Sequence, residues 1–198
     1  MEMPVEIHPR KLAGPWSMGY ALDFQTTSST FIGYNAFGHP EFETKRPPVG
    51  ELLYQLKNRG DATAIEPLAD ATVAFIRNWP VDLIVPIPPS NTSRKRQPVI
   101  EVAREISRKT GVPLCEGCIK KVKNTGQLKD VFDRAKRDEI LAGAFVVDLK
   151  QTQKRRLLVF DDLYRSGATA AAVTRLLLSD GAAAQVYLLT LTQTRKNL

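Results

Sequence analysis

Residues 157–170 read LLVFDDLYRSGATA: an apolar run, two adjacent carboxylates, a loop of small and hydroxyl residues, then alanines. Two carboxylates about 4 Å apart repel by roughly 1 kcal/mol in water and about 4 kcal/mol at an effective dielectric of 20, so Asp161 and Asp162 call for hydrogen-bond donors or a cation. Ser166, Gly167 and Thr169 then surround the predicted start of a helix. Small residues let the backbone approach a ligand, and the N–H groups of a first helical turn point outward as a ready anion site. Acceptors on one side and anion donors on the other match a sugar phosphate, with hydroxyls to the carboxylates and phosphate to the loop. The plain alternative is that the two aspartates end a strand and cap a helix, as Asp does well. Walker-type phosphate binding is a poorer fit, because no G-x-x-x-x-G-K-[ST] occurs.

Such a site needs strands that end where loops turn into helices. The first ~45 residues read as irregular structure with β-rich pieces, "WSMGYALDF" and "STFIGYNAF", joined as a small hairpin across the turn-prone "QTTSS". Trp16, Tyr20, Phe31, Tyr34 and Phe37 read as the core of that lobe, with stacking on a planar ligand as the alternative. Leu52, Leu53 and Leu56 stand at helical spacing before Gly60, and a second helix opens at Glu66–Pro67 and runs to Trp79. "VDLIVPI" is a short continuous apolar run, the pattern of a strand covered on both faces, and it ends in the basic loop "PPSNTSRKRQ". A helix from Pro98 to the stop at Gly111 and the apolar "VPLC" complete a strand–helix–strand unit. Residues 119–138 are strongly basic with little periodicity and read as a mobile flap. "AGAFVVDL", "RLLVF" and "AQVYLLTLT" read as strands, and "SGATAAAVTRLLLSDG" as a helix. Alternating strands and helices predict an α/β fold on a mostly parallel sheet flanked by helices. We divide the chain into an N-terminal, hood-like β-containing lobe over 1–47 and an α/β core over 48–198.

The 198 residues suffice for one sizeable core and carry 28 Lys and Arg against 21 Asp and Glu, a formal charge of +7. That field favours anionic partners, phosphorylated metabolites and nucleic acid alike. The N-terminus has no apolar h-region and no apolar stretch reaches the ~18–20 residues of a membrane span, so no membrane association and a cytoplasmic location are expected. Cys115 and Cys118 have a spacing that can clip a metal or form a redox pair. A structural zinc needs four ligands and His8 and His39 lie far off in sequence, so a reduced, partly buried thiol pair is expected.

"LLVFDDLYRSGAT" resembles the signature of the type I phosphoribosyltransferases: four apolar residues, two acidic, three variable, then Ser/Thr-Gly-x-Ser/Thr. The rest of the chain is most similar to the ComF-like branch, through "LLYQLKNRGD" at 52–61, "DLIVPIPPSNTSRKRQ" at 82–97, the region of Gln127 and "GAFVV" at 143–147. Two features depart from that branch. No four-cysteine zinc module precedes Cys115, and Arg96, Gln97, Pro98 and Val99 stand where Arg-Gly-Phe-Asn-Gln is common.

The resemblance implies a type I phosphoribosyltransferase fold and a Mg²⁺-dependent transfer of 5-phosphoribosyl from phosphoribosyl diphosphate (PRPP) to a nitrogenous, nucleobase-like acceptor. Asp161 and Asp162 would be the catalytic pair on the ribose hydroxyls, and Arg165, Ser166, Gly167, Ala168 and Thr169 would anchor the 5-phosphate. The loop Pro88, Pro89, Ser90, Arg94, Lys95 and Arg96 would hold the diphosphate, a stiff turn followed by charge-assisted donors. Lys57 and Gln127 are expected as flap or hood contacts, and the flap would close over the substrate. No direct protein ligand set for metal is expected: Mg²⁺ would arrive on PRPP, with Asp161 or Asp162 reaching it through water. The alternative from the same branch is a non-enzymatic accessory protein that binds PRPP, single-stranded DNA or both during DNA uptake. A homodimer is the commonest assembly to expect.

Overall fold

The computed structural model describes residues 4–89, 96–122, 141 and 143–195. Its centre is a five-stranded sheet in the order β1-β2-β9-β8-β5. The strands are β1 (Arg10–Lys11), β2 (Met18–Phe24), β5 (Leu83–Pro86), β8 (Arg156–Tyr164) and β9 (Gln185–Gln193). Four of them, β2, β9, β8 and β5, run parallel, and only β1 is antiparallel. Beyond β5, Leu114 adds one parallel bridge to Ile84.

Strand alternation splits the apolar runs between two cores. Leu83, Val85, Leu157, Val159, Val186 and Leu188 face one side, where they meet Ala170, Ala171, Val173 and Leu177 of α4 (Ala168–Leu178). Ile84, Leu158, Phe160, Tyr187, Leu189 and Leu191 face the other. There they meet α1 (Pro48–Tyr54), α2 (Ile65–Ile76) and α3 (Pro98–Thr110). Coverage on both faces is why these strands carry continuous apolar runs. Gly111 closes α3 in the left-handed conformation, at φ 72°, as its position after the last apolar residue predicts.

The N-terminal third differs from the expectation of a lobe spanning 1–47. β2 lies inside the main sheet, paired in parallel with β9, because Ala21 and Leu22 are apolar enough to be buried on opposite faces. Only β3 (Ser28–Tyr34) and β4 (Pro40–Lys45) stand outside it, paired with each other as the hairpin, so the turn is at Asn35–His39 and not at "QTTSS". The aromatic residues divide accordingly. Trp16 is buried and Tyr20 packs on Phe75 and Trp79, whereas Phe31, Tyr34 and Phe37 are exposed and form no lobe core.

"GAFVV" is also placed differently. β7 (Phe145–Val147) pairs antiparallel with β6 (Ile119–Lys121) in a separate ribbon, so the first residues of the expected flap are a strand. The rest of that segment from 123 on, Gln127 included, lies outside the described residues, as do Ser90, Arg94 and Lys95. Cys115 and Cys118 are joined in a disulfide and are not free thiols: the turn through Glu116 and Gly117 brings their Cα atoms to 5.5 Å, within bridging range. Among the described residues no three His, Cys, Asp or Glu side chains gather as a metal site. No helix among them is long and apolar enough to cross a membrane.

Candidate functional site

β8 and β5 are neighbours in the sheet, yet the helices that follow them lie on opposite faces, α4 after β8 and α3 after β5. Connections that diverge from adjacent parallel strands leave a crevice at their carboxyl ends, the usual ligand position in open α/β sheets. β5 stops at Pro86, opposite Phe160, while β8 continues to Tyr164 along β9. Asp161 and Asp162 therefore sit within the strand and not after it, on the stretch of β8 whose β5 side has no strand partner. Pro88 and Pro89 leave the same rim, where the Ile87 N–H donates to the Phe160 carbonyl at 2.9 Å. The sheet thus brings the acidic pair and the start of the proline loop together.

Adjacent residues of a strand point to opposite faces, which resolves the like-charge problem of the pair. Asp162 turns toward the α1 side, where its Oδ2 accepts from Lys57 Nζ at 2.7 Å. Both side chains are largely enclosed, 16% and 21% exposed, so the ion pair is shielded from water. Asp161 is partly buried, and its Oδ1 accepts from the Asp162 N–H at 2.8 Å. Burial, followed by the neighbouring Asp162 charge, pushes the Asp161 carboxyl up to about 8, against the opposing pull of that backbone bond and of Lys57. Asp161 thus holds its proton more tightly than an ordinary aspartic acid, while Asp162 has its own cation in Lys57.

Lys57 lies on this rim, beside Asp162. It occupies the π-helical turn Gln55–Arg59 that continues α1 and ends at Gly60 in the left-handed conformation, φ 71°. Such wide turns are rare and recur at functional sites. Nothing in the local sequence signals a contact with a residue 105 positions away.

After β8 the chain turns through exposed Arg165 and Ser166 into Gly167, the N-cap of α4. Gly167 has φ 76°, and a Cβ there would lie 2.3 Å from the Tyr164 hydroxyl oxygen, so glycine is required twice over. No side chain caps this helix. The first helical bond runs from the Ala171 N–H to the Gly167 carbonyl, so the N–H groups of Ala168, Thr169 and Ala170 form the outward-facing turn. A cleft of about 320 Å³ borders it, walled by Trp16 and Tyr164, floored by Gly167 and Ala168, and edged by Ser166 and Arg175.

Arg96 is paired at the start of α3: its Nη1 donates to Glu101 Oε2 at 2.6 Å. A further carboxylate that the motifs did not single out, Asp23, is buried at the end of β2 opposite Thr192. It contacts His8 Nδ1 at 2.9 Å and accepts from the Phe24 N–H at 2.6 Å. Its carboxylate raises the His8 imidazole above its ordinary range. Thr192 in turn donates from Oγ1 to the Asp162 carbonyl at 2.9 Å, fixing the backbone beneath the acidic pair.

No family model matches the sequence, and no curated protein matches it. Among solved structures, the chain is similar to adenine phosphoribosyltransferase from Thermoanaerobacter pseudethanolicus at 12% identity, over 83% of this chain and 95% of that one, with a TM-score of 0.43. The Saccharomyces cerevisiae adenine phosphoribosyltransferase, solved with an imino-altritol bisphosphate and adenine, is similar over 82% and 83% of the two chains at 12% identity and a TM-score of 0.42. Leishmania donovani UMP synthase is similar over 81% of this chain at 15% identity and a TM-score of 0.41; the chain spans about a quarter of that protein, 27%.

Proposed function

We propose that the chain is a Mg²⁺-dependent phosphoribosyltransferase that moves 5-phosphoribosyl from PRPP to a nitrogenous acceptor and releases diphosphate. One observation carries this reading: an acidic pair and a helix entrance without a side-chain cap share the carboxyl-end rim of β8, past the end of β5. The signature resemblance of residues 157–169 points the same way.

In this reading the N–H groups of Ala168 and Thr169, the hydroxyls of Ser166 and Thr169, and Arg165 bind the 5-phosphate, the positive end of α4 adding to the attraction. Asp161 and Asp162 accept the ribose hydroxyls and hold the sugar beside the proline loop, which takes the diphosphate with Arg94, Lys95 and Arg96. Attack at the anomeric carbon passes through a cation-like state, so alignment and nearby negative charge matter more than a nucleophile. Asp162, paired with Lys57, keeps its acid near the ring, where negative charge favours the cation-like state.

The donor set suits a magnesium ion carried on the oxygens of PRPP. Two acids on opposite sides of a strand, one of them bound to Lys57, form no protein cage, but either can reach such an ion through water. When bound, that ion neutralises the departing diphosphate.

Asp161→Asn with Asp162→Asn is expected to abolish PRPP binding in titration calorimetry; unchanged affinity rejects the assignment. Incubating the wild-type chain with Mg²⁺, PRPP and a panel of nucleobases should release diphosphate with one of them. Binding without release would favour the non-enzymatic accessory role over transfer.

A further inference from the structure

The two bridged cysteines occupy unequal positions. Cys118 is 1% exposed and packs in the α4-side core with Ile119 and Phe145, whereas Cys115 is only partly buried at the border of that core. The bridge closes a loop of just two intervening residues, Glu116 and Gly117. So short a loop removes little freedom from the unfolded chain, and the bond adds far less to stability than one that closes a long loop. The spacing serves a structural staple poorly. One reachable sulfur backed by one buried sulfur instead suits thiol–disulfide exchange, because access decides which sulfur is attacked and which one leaves.

The bridge also sits at a joint. On one side of it, the Ile84 N–H donates to the Pro113 carbonyl and the Cys115 N–H to the Ile84 carbonyl, both at 2.9 Å, which fastens 113–115 to the outer edge of β5. On the other side Cys118 leads into β6, and its carbonyl accepts from the Asp148 N–H just past β7 at 2.8 Å. Between them Glu116 is held from α3 by Arg104, at 2.6 and 2.9 Å, in an exposed pair, and a Cβ on Gly117 would meet nothing within 4 Å. β6 and β7 are three residues each, and a two-stranded ribbon of that size is marginal in water without further support. A covalent bond at its root therefore bears on its order. We infer that Cys115–Cys118 is a reversible exchange site for a dithiol reductant, and that opening it loosens the β6–β7 ribbon from the edge of β5. A thiolate of the reductant attacks Cys115 Sγ, and Cys118 Sγ leaves with the bonding pair and takes a proton. The second thiolate of the reductant then attacks its own sulfur in the mixed disulfide, and Cys115 Sγ leaves and is protonated. Two electrons and two protons reach the chain, and the reductant is left as a disulfide. A monothiol is the poorer reductant: Cys118, only three residues away, attacks the mixed disulfide and expels it.

The folded wild-type chain, treated with reduced dithiothreitol and then alkylated in denaturant, should gain two labels by intact mass, and none without that treatment. Oxidised dithiothreitol should restore the unlabelled mass. Half-reduction by 2-mercaptoethanol should need a concentration about tenfold higher or more. On reduction, amide hydrogen exchange followed by mass spectrometry should speed up in β6 and β7 and stay unchanged in β8 and β9. Cys115→Ser with Cys118→Ser should show the fast ribbon exchange with or without dithiol, and the wild-type comparison decides the matter even where that variant does not fold. Two free thiols that oxidised dithiothreitol fails to join, a bridge that yields to the dithiol only in denaturant, or ribbon exchange unchanged by reduction overturns the inference.

Discussion

At the scale of single residues, the site is decided by how one strand distributes two adjacent acids. The pleat gives Asp162 to Lys57 and leaves Asp161 partly buried, its carboxyl pushed up to about 8. Removing Lys57 takes away the only cation among the described residues that is hydrogen-bonded to this mostly enclosed carboxylate, and an uncompensated charge of that kind costs about 3 kcal/mol or more, discounted here to about 2 because Asp162 keeps some contact with water. Lys57→Met should therefore lower stability in denaturant unfolding, whereas Lys57→Met with Asp162→Asn should recover most of the loss. Lys57→Met and Asp162→Asn losses that simply add in the double variant would show that the two side chains do not interact. The pairing was invisible in the sequence: Lys57 sits among basic residues at a helix end, a position that the helix dipole explains without any partner.

At the scale of elements, the legible parts were those whose signals are local. The apolar runs of β5, β8 and β9, the proline that opens α3 and the glycines that close α1's extension and α3 are read from neighbouring residues, and they stand where expected. Illegible were the pairings that depend on distant chain. β2 joins β9 across more than 160 residues, "GAFVV" leaves the main sheet for a ribbon with β6, and Cys115 meets Cys118 only because a turn closes between them. Of the candidate site, the turn at Gly167 was the most legible element because Gly167 answers to local constraints, its positive φ and the nearby Tyr164 ring. Gly167→Ala should cost about 1–3 kcal/mol of stability through the strained φ and the forced movement of Tyr164. Adding Tyr164→Ala removes the steric part and should return some of that stability but none of the turn's geometry. Thermal unfolding checks the first expectation; a 5-phosphate ligand binding as tightly to the double variant as to wild type would show that the turn does not hold phosphate.

At the scale of the whole molecule, two aspartates give stability opposite dependences on pH. Asp82 joins β5 to β8: its carboxylate accepts from the Arg156 backbone N–H at 2.8 Å and from the guanidinium at 2.6 and 3.0 Å. Those bonds hold it down at about 2, below the roughly 3.9 of an unfolded Asp. A depressed acid stabilises the fold above its unfolded value, and the contribution is lost as pH falls through about 4 toward 2. Asp161 is raised to about 8, so the folded chain holds a proton that the unfolded chain has released, and its contribution is lost as pH rises from about 4 through 8. Melting temperature should therefore be highest on the mildly acidic side and decline toward alkaline pH. Asp161→Asn keeps a neutral side chain of the same shape at every pH and should flatten the alkaline decline without touching the acid one, while Asp82→Asn should do the reverse. PRPP adds a linked expectation: ribose hydroxyls donate better to a carboxylate than to a neutral acid, so its affinity for the wild-type chain should rise as pH passes through about 8. An Asp161→Asn chain whose alkaline melting limb overlays that of wild type would show that this carboxyl is ionised in the folded state at neutral pH, and the linked rise in affinity would be lost with it.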